Sequence, residues 1–206
     1  MSQLHVYRDG YTQLVMLTEK QFRERTRMQL RHIANEIVGL IADRDLFRKL
    51  ESEIVANNPQ LSGVRNPVLE MLRGCYADSM SARALRLLIN DGNLALAHVL
   101  ERLAEYPQLL ENKISEGEFL DDCAALRKAA GNLMDVSVPR TAHYERTMSA
   151  LAPFQRELDS AIKLLMETVK TYYWIIADGY VDLAPKFDVD PLAVFQFSWA
   201  VPALAH

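Results

Sequence analysis

Residues 154–176 read Phe154-Gln-Arg-Glu-Leu158-Asp-Ser-Ala-Ile162-Lys-Leu-Leu165-Met-Glu-Thr-Val169-Lys-Thr-Tyr172-Tyr-Trp-Ile-Ile176. The apolar residues numbered in that stretch recur at steps of three and four, which places them on one face of an α-helix for six turns. No other stretch alternates apolar and polar residues long enough to read as a strand. The fold class expected from this pattern is all-α.

The same periodicity continues upstream. Phe119, Cys123, Leu126, Ala130 and Leu133 form a second stripe over about Ser115 to Leu133. Asn66-Pro67 reads as a helix cap and first position, because proline there loses no needed hydrogen bond. Leu69, Leu72, Tyr76, Met80 and Leu87 then line one side of a helix running to Ile89, with last turns that are apolar all round. Asn90-Asp-Gly-Asn93 stops it, and Leu96, Val99, Leu100 and Leu103 mark a short helix ending near Pro107. Nearer the start, Thr18 is a plausible cap for a stripe of Phe22, Thr26, Leu30, Ile33, Ile37 and Leu40. A separate shorter segment from Asp43 to about Ala56 carries Leu46, Phe47, Leu50 and Ile54. The architecture predicted is a helical bundle of four longer helices with short additional ones. It divides into an N-terminal extension (1–17), the bundle (18–180) and an acidic, aromatic tail (181–206).

Composition bounds the function. Of 206 residues, half are hydrophobic, so there is ample apolar material for a core. With 23 basic against 27 acidic residues the net charge is −4, which argues against an indiscriminate nucleic-acid coat or a membrane-surface protein. Met1 to Thr12 lacks the apolar run of a signal peptide, and no window approaches the roughly 18 apolar residues of a spanning helix. A cytoplasmic location without membrane contact is expected. Cys75 and Cys123, far apart and each inside an apolar stripe, read as small buried hydrophobes rather than a disulfide.

Phosphate-binding glycine loops, nucleophile elbows and zinc signatures are absent from the sequence. His32 with Glu36, and His98 with Glu101, have the spacing of surface ion pairs on helices. No second ligand pair accompanies either, so neither a metal nor a cofactor is expected. Lys20, Arg23, Arg27 and Arg31 follow steps of three, four and four, a basic row that either binds phosphates or is simply a solvated face. Arg140, His143 and Arg146 fall within seven residues of a polar interruption between two well-formed helices. A histidine that exchanges protons near neutral pH beside arginines suits metal-free phosphodiester cleavage. Capping or packing at a helix end is the alternative for that histidine. In the tail, Phe195, Phe197 and Trp199 crowd together either to dock on the domain's own core or to form an interface.

Ala82-Arg-Ala-Leu-Arg-Leu-Leu-Ile-Asn-Asp-Gly-Asn-Leu-Ala-Leu-Ala-His-Val-Leu100 resembles the leucine-rich helix, Asp-containing turn and short helix of abortive-infection HEPN proteins. Arg140-Thr-Ala-His143 resembles the end of their Arg/His motif, and the long helix with Tyr172-Tyr173 near its end is again similar. The resemblance covers about residues 18–180. It implies a helical bundle, usually a homodimer, often a metal-independent ribonuclease of antiphage defence or toxin–antitoxin systems. His143 would move the proton as a ribose 2′-hydroxyl attacks the adjacent phosphate, and Arg140 would stabilise the developing charge. Lys20, Arg23, Arg27, Arg31 and Arg146 would contact RNA. Only two residues separate Arg140 from His143, fewer than in the family. Either Arg140 or Arg146 takes the family arginine's place, or this chain keeps the scaffold without the nuclease. The reading from another class is a non-catalytic module that dimerises or binds a partner, such as an antitoxin protein, through the Phe195–Trp199 tail.

Overall fold

A computed structural model describes residues 5–8, 14–58, 66–89, 94–110, 113–137 and 147–186. Two short strands, β1 (His5–Arg8) and β2 (Leu14–Leu17), pair antiparallel with His5 opposite Leu17 and Arg8 opposite Leu14. They lead into helices α1 (Glu19–Asn57), α2 (Pro67–Leu88), α3 (Leu96–Ala104), α4 (Glu116–Ser137) and α5 (Thr147–Ala177). A single 3₁₀ turn, Pro107–Leu109, follows α3. The helical bundle is as expected, with four long helices and one short. The hairpin is not: strands of four residues are too short to show a readable alternation.

Local chemistry sets the helix starts. Thr18 and Gln21 form a capping box, in which the Gln21 N–H donates to the Thr18 hydroxyl and the Thr18 N–H to the Gln21 side chain. Asn66 accepts from the N–H groups of Val68 and Leu69, and Pro67 occupies the first helical position. Ser115 and Glu118 cap α4 reciprocally. The two segments expected between Thr18 and Ala56 are one continuous helix of 39 residues. No glycine or proline lies between Leu40 and Asn57, and Asp43 and Arg44 bond to neighbouring helices rather than turning the chain.

Side-chain contacts give the helix directions. Glu36, Asp43 and Glu51 of α1 pair with Arg86, Arg83 and Arg73 of α2, so the two run antiparallel. Arg44 and Arg48 of α1 meet Asp159 near the start of α5, and Arg27 lies by Tyr173 near its end. Phe119 and Asp122 of α4 contact Tyr172. Ser81 of α2 bonds Ser137 at the end of α4 at 2.7 Å. The result is an up-down-up-down bundle. Helix α3 continues α2's column, since Arg102 reaches Gln29 of α1 and Glu101 reaches Arg127 of α4. α5 contacts all three other long helices, and its Phe154, Leu158, Leu165, Val169 and Tyr172 have no exposed surface.

Several sequence expectations need correction. Cys123 is buried but Cys75 is exposed, as is Leu72, because α2 turns both outward. Glu36 bonds Arg86 at 2.9 Å instead of His32, whereas His98 and Glu101 do approach to 3.6 Å. After α5, Asp178 takes the left-handed conformation, at φ 50°. Lys113 holds the Asp178 carboxylate there at 2.5 Å.

Truncating Leu165 to alanine leaves a void where four helices meet, and should cost about 2–5 kcal/mol in urea unfolding. Leu120→Ala, at an exposed position of α4, should stay within about 0.5 kcal/mol. Equal costs for the two would contradict the packing described.

Candidate nucleic-acid interface

The basic row of α1 keeps its expected geometry. Lys20, Arg27 and Arg31 are exposed and Arg23 is half-buried. At 100° per residue these four residues occupy the flank of α1 that faces α5. Arg23 accordingly acts on the Asp178 carboxylate, and Arg27 on Tyr173. Glu24 bonds Arg27 at 2.6 Å and offsets part of the charge. On the last turns of α5, which packs against α1, lie the exposed Lys170, the half-buried Tyr173 and Trp174, which is 44% exposed. Lys113 places its ammonium 5.5 Å from the Trp174 ring centroid, and the Ile175 carbonyl and Asp178 carboxylate accept from it. Asp178 is held below the usual carboxylate range by its hydrogen bond from Lys113, with Arg23 adding to the effect.

Sequence reasoning missed Lys113, Lys170 and Trp174 as neighbours of the row. A weak signal existed, since Lys163, Lys170 and Trp174 recur at steps of seven and four on the polar face of their helix. Nothing in the sequence places that face beside α1.

Arg140, His143 and Arg146 lie outside the described residues, as do Phe195, Phe197 and Trp199. The chain leaves α4 at Ser137 and enters α5 at Thr147, and Tyr173 lies 26 residues further along α5. At 1.5 Å per residue that is about 39 Å. The α1 row and the start of α5 therefore belong to opposite ends of one bundle.

A different cluster occupies the half of the bundle nearer Ser137. Asp159 accepts from Arg44 at 3.2 Å and from Arg48 at 2.6 Å, while Glu51 accepts from Arg73. Tyr76 stacks on Phe47 with centroids 3.8 Å apart and meets Phe154 edge-on. Its buried hydroxyl has no hydrogen-bond partner among the described residues. These ion pairs bridge α1 to α5 and α1 to α2, so the cluster locks helices together.

Among the described residues no group of three or more His, Cys, Asp or Glu could hold a metal ion. No helix among them is long and apolar enough to cross a membrane. An open cavity of about 380 Å³ between Pro107, Leu110, Ile114 and Phe119 brings only Ser115 and Glu116 as polar groups. Searches of protein-family models, curated proteins and solved structures found no match.

Burial pushes the Tyr76 phenol up to about 12, against the opposing charge of Arg48. Its folded value therefore exceeds the unfolded value of about 10. The stabilisation from keeping it neutral is complete below about pH 10 and is lost as pH rises towards 12. Tyr76→Phe keeps the ring stack and removes the unpartnered hydroxyl. Stability near neutral pH should be unchanged or up to about 1 kcal/mol higher, with a shallower alkaline loss. Urea midpoints at about pH 7 and about pH 11 check this, and a clear loss at neutral pH would show that the hydroxyl has a partner.

Proposed function

We propose that this chain is a cytoplasmic, HEPN-like helical protein that acts on RNA, related to the metal-independent ribonucleases of antiphage defence or toxin–antitoxin systems. The observation that carries the RNA reading is the basic row Lys20–Arg31, held on one helix that packs against α5, whose last turns expose Trp174. In this reading His143 moves the proton of the attacking 2′-hydroxyl, and Arg140 stabilises the charge that develops on phosphate. Arg146 adds a further phosphate contact.

The same reading carries a homodimer with it, in which Arg140 and His143 would meet their two-fold mates in one cleft. The test is incubation of purified protein with total RNA in excess chelator, beside His143→Ala. Cleavage should survive chelation and disappear in the variant without a lowered melting temperature. Intrinsic cleavage that persists in His143→Ala removes the residue from its assigned role.

A second reading is favoured by the outward face of α2. Val68, Met71, Leu72 and Cys75 are all exposed there at positions one turn apart, an apolar surface uncommon on a solvated helix. As an interaction module, the chain would use this face and the Phe195, Phe197 and Trp199 tail to dimerise or to hold a partner protein. Phe195→Asp or Trp199→Asp would then abolish assembly in sedimentation, and His143→Ala would leave it intact. Unchanged assembly in both tail variants would exclude the tail as the interface.

A further inference from the structure

We propose that the surface formed by the first turns of α1 and the last turns of α5 binds an unpaired RNA strand, with phosphates along Lys20, Arg23, Arg27 and Arg31 and a base stacked on Trp174. This deepens the RNA reading and rests on it. The row extends eleven residues along one helix, about 16 Å, enough for a short run of phosphates. Positive charge on α1 would bind any polyanion, so selectivity must come from what α5 exposes.

Trp174 supplies it. An indole 44% exposed on a charged helix face has no role in the core, whose stripe points the opposite way. Lys113 stands over the ring and is itself bonded to the Ile175 carbonyl and Asp178, so the ring is backed by a fixed cation. A flat partner can stack on exposed indole surface. Bases of a single strand offer such faces, whereas a duplex has already stacked them on one another. Tyr173, next in sequence, is near enough to Arg27 to bear on its charge, which puts this end of α5 level with the row. Three acidic groups nearby are engaged by a cation, Glu24 by Arg27, Asp178 by Lys113 and Glu167 by Lys163, while Glu19 beside Lys20 is exposed.

The chain has two tryptophans, so Trp199→Phe leaves Trp174 as the sole indole reporter in the full-length protein. Oligouridylate and oligoadenylate of about twelve nucleotides are titrated in, beside a duplex of the same length. The single strands should quench Trp174 emission and saturate, and the duplex should leave it unchanged. With four phosphate contacts, affinity should fall roughly 50-fold over a four-fold rise in salt. Lys20→Ala combined with Arg31→Ala should lower the logarithmic salt slope by about 1.4, or about 0.7 per residue. Equal quenching by the duplex overturns the proposal. Binding seen by anisotropy of a labelled strand, with Trp174 emission unchanged, also overturns it while sparing the RNA reading. If no strand binds by either measurement, both fail.

Discussion

The long helices are organised on the apolar stripe of α5. Ala161, Leu158, Leu165 and Val169 lose all contact with water against α1, α2 and α4 at once. Intrinsic propensity does not explain this helix, whose last turns carry Val169, Tyr172, Tyr173, Trp174, Ile175 and Ile176, all mediocre helix formers. Burial offsets that shortfall, at about 25 cal/mol for each square ångström of apolar surface removed from water. The same burial creates an obligation at Tyr172. Its phenol is enclosed and so must donate, and Asp122 of α4 accepts at 3.0 Å. Burial and the Asp122 charge raise the phenol's pKa, which keeps the donor protonated and α4 locked to α5.

Apolar stripes alone would let helices slide, so register needs directional contacts. The α1–α2 pairs supply them, because three carboxylates ascending one helix meet three guanidinium groups descending the other. Exposed ion pairs of this kind contribute little stability each. Arg73 and Glu51 are the most enclosed of the three and the most costly to separate. The pairs matter for specificity, since a shift of one helical turn would oppose mismatched groups. Arg44 and Arg48 sharing Asp159 add the same constraint between α1 and α5.

How much of this was legible follows from the range of each interaction. The α5 stripe and the caps at Thr18 and Asn66 depend on residues within a turn or two of one another, so reading the sequence finds them. The exposure of Cys75 and Leu72 was hidden because an apolar residue at helical spacing looks the same whether its helix turns it inward or outward. The fusion of two segments into α1 was hidden differently. Polar residues at Asp43 and Arg44 suggest a turn until their partners on α2 and α5 are known. At the candidate interface the row itself was visible at steps of three and four. Trp174 stands near it only because α1 and α5 pack antiparallel, a tertiary fact that no local pattern encodes.

On the proposed reading, an acidic chain that binds RNA through one surface behaves differently from a basic one. With a net charge of −4, most of the surface repels a polyanion, and attraction is confined to the few ångströms over which Lys20–Arg31 are not screened. A rigid duplex approaching that row must also bring its phosphates near Glu19 and Glu24, which flank it. A flexible strand can bend its backbone onto the arginines and turn its bases away from them. The overall negative charge therefore sharpens what the indole begins, weakening every nucleic acid and weakening the unpaired strand least.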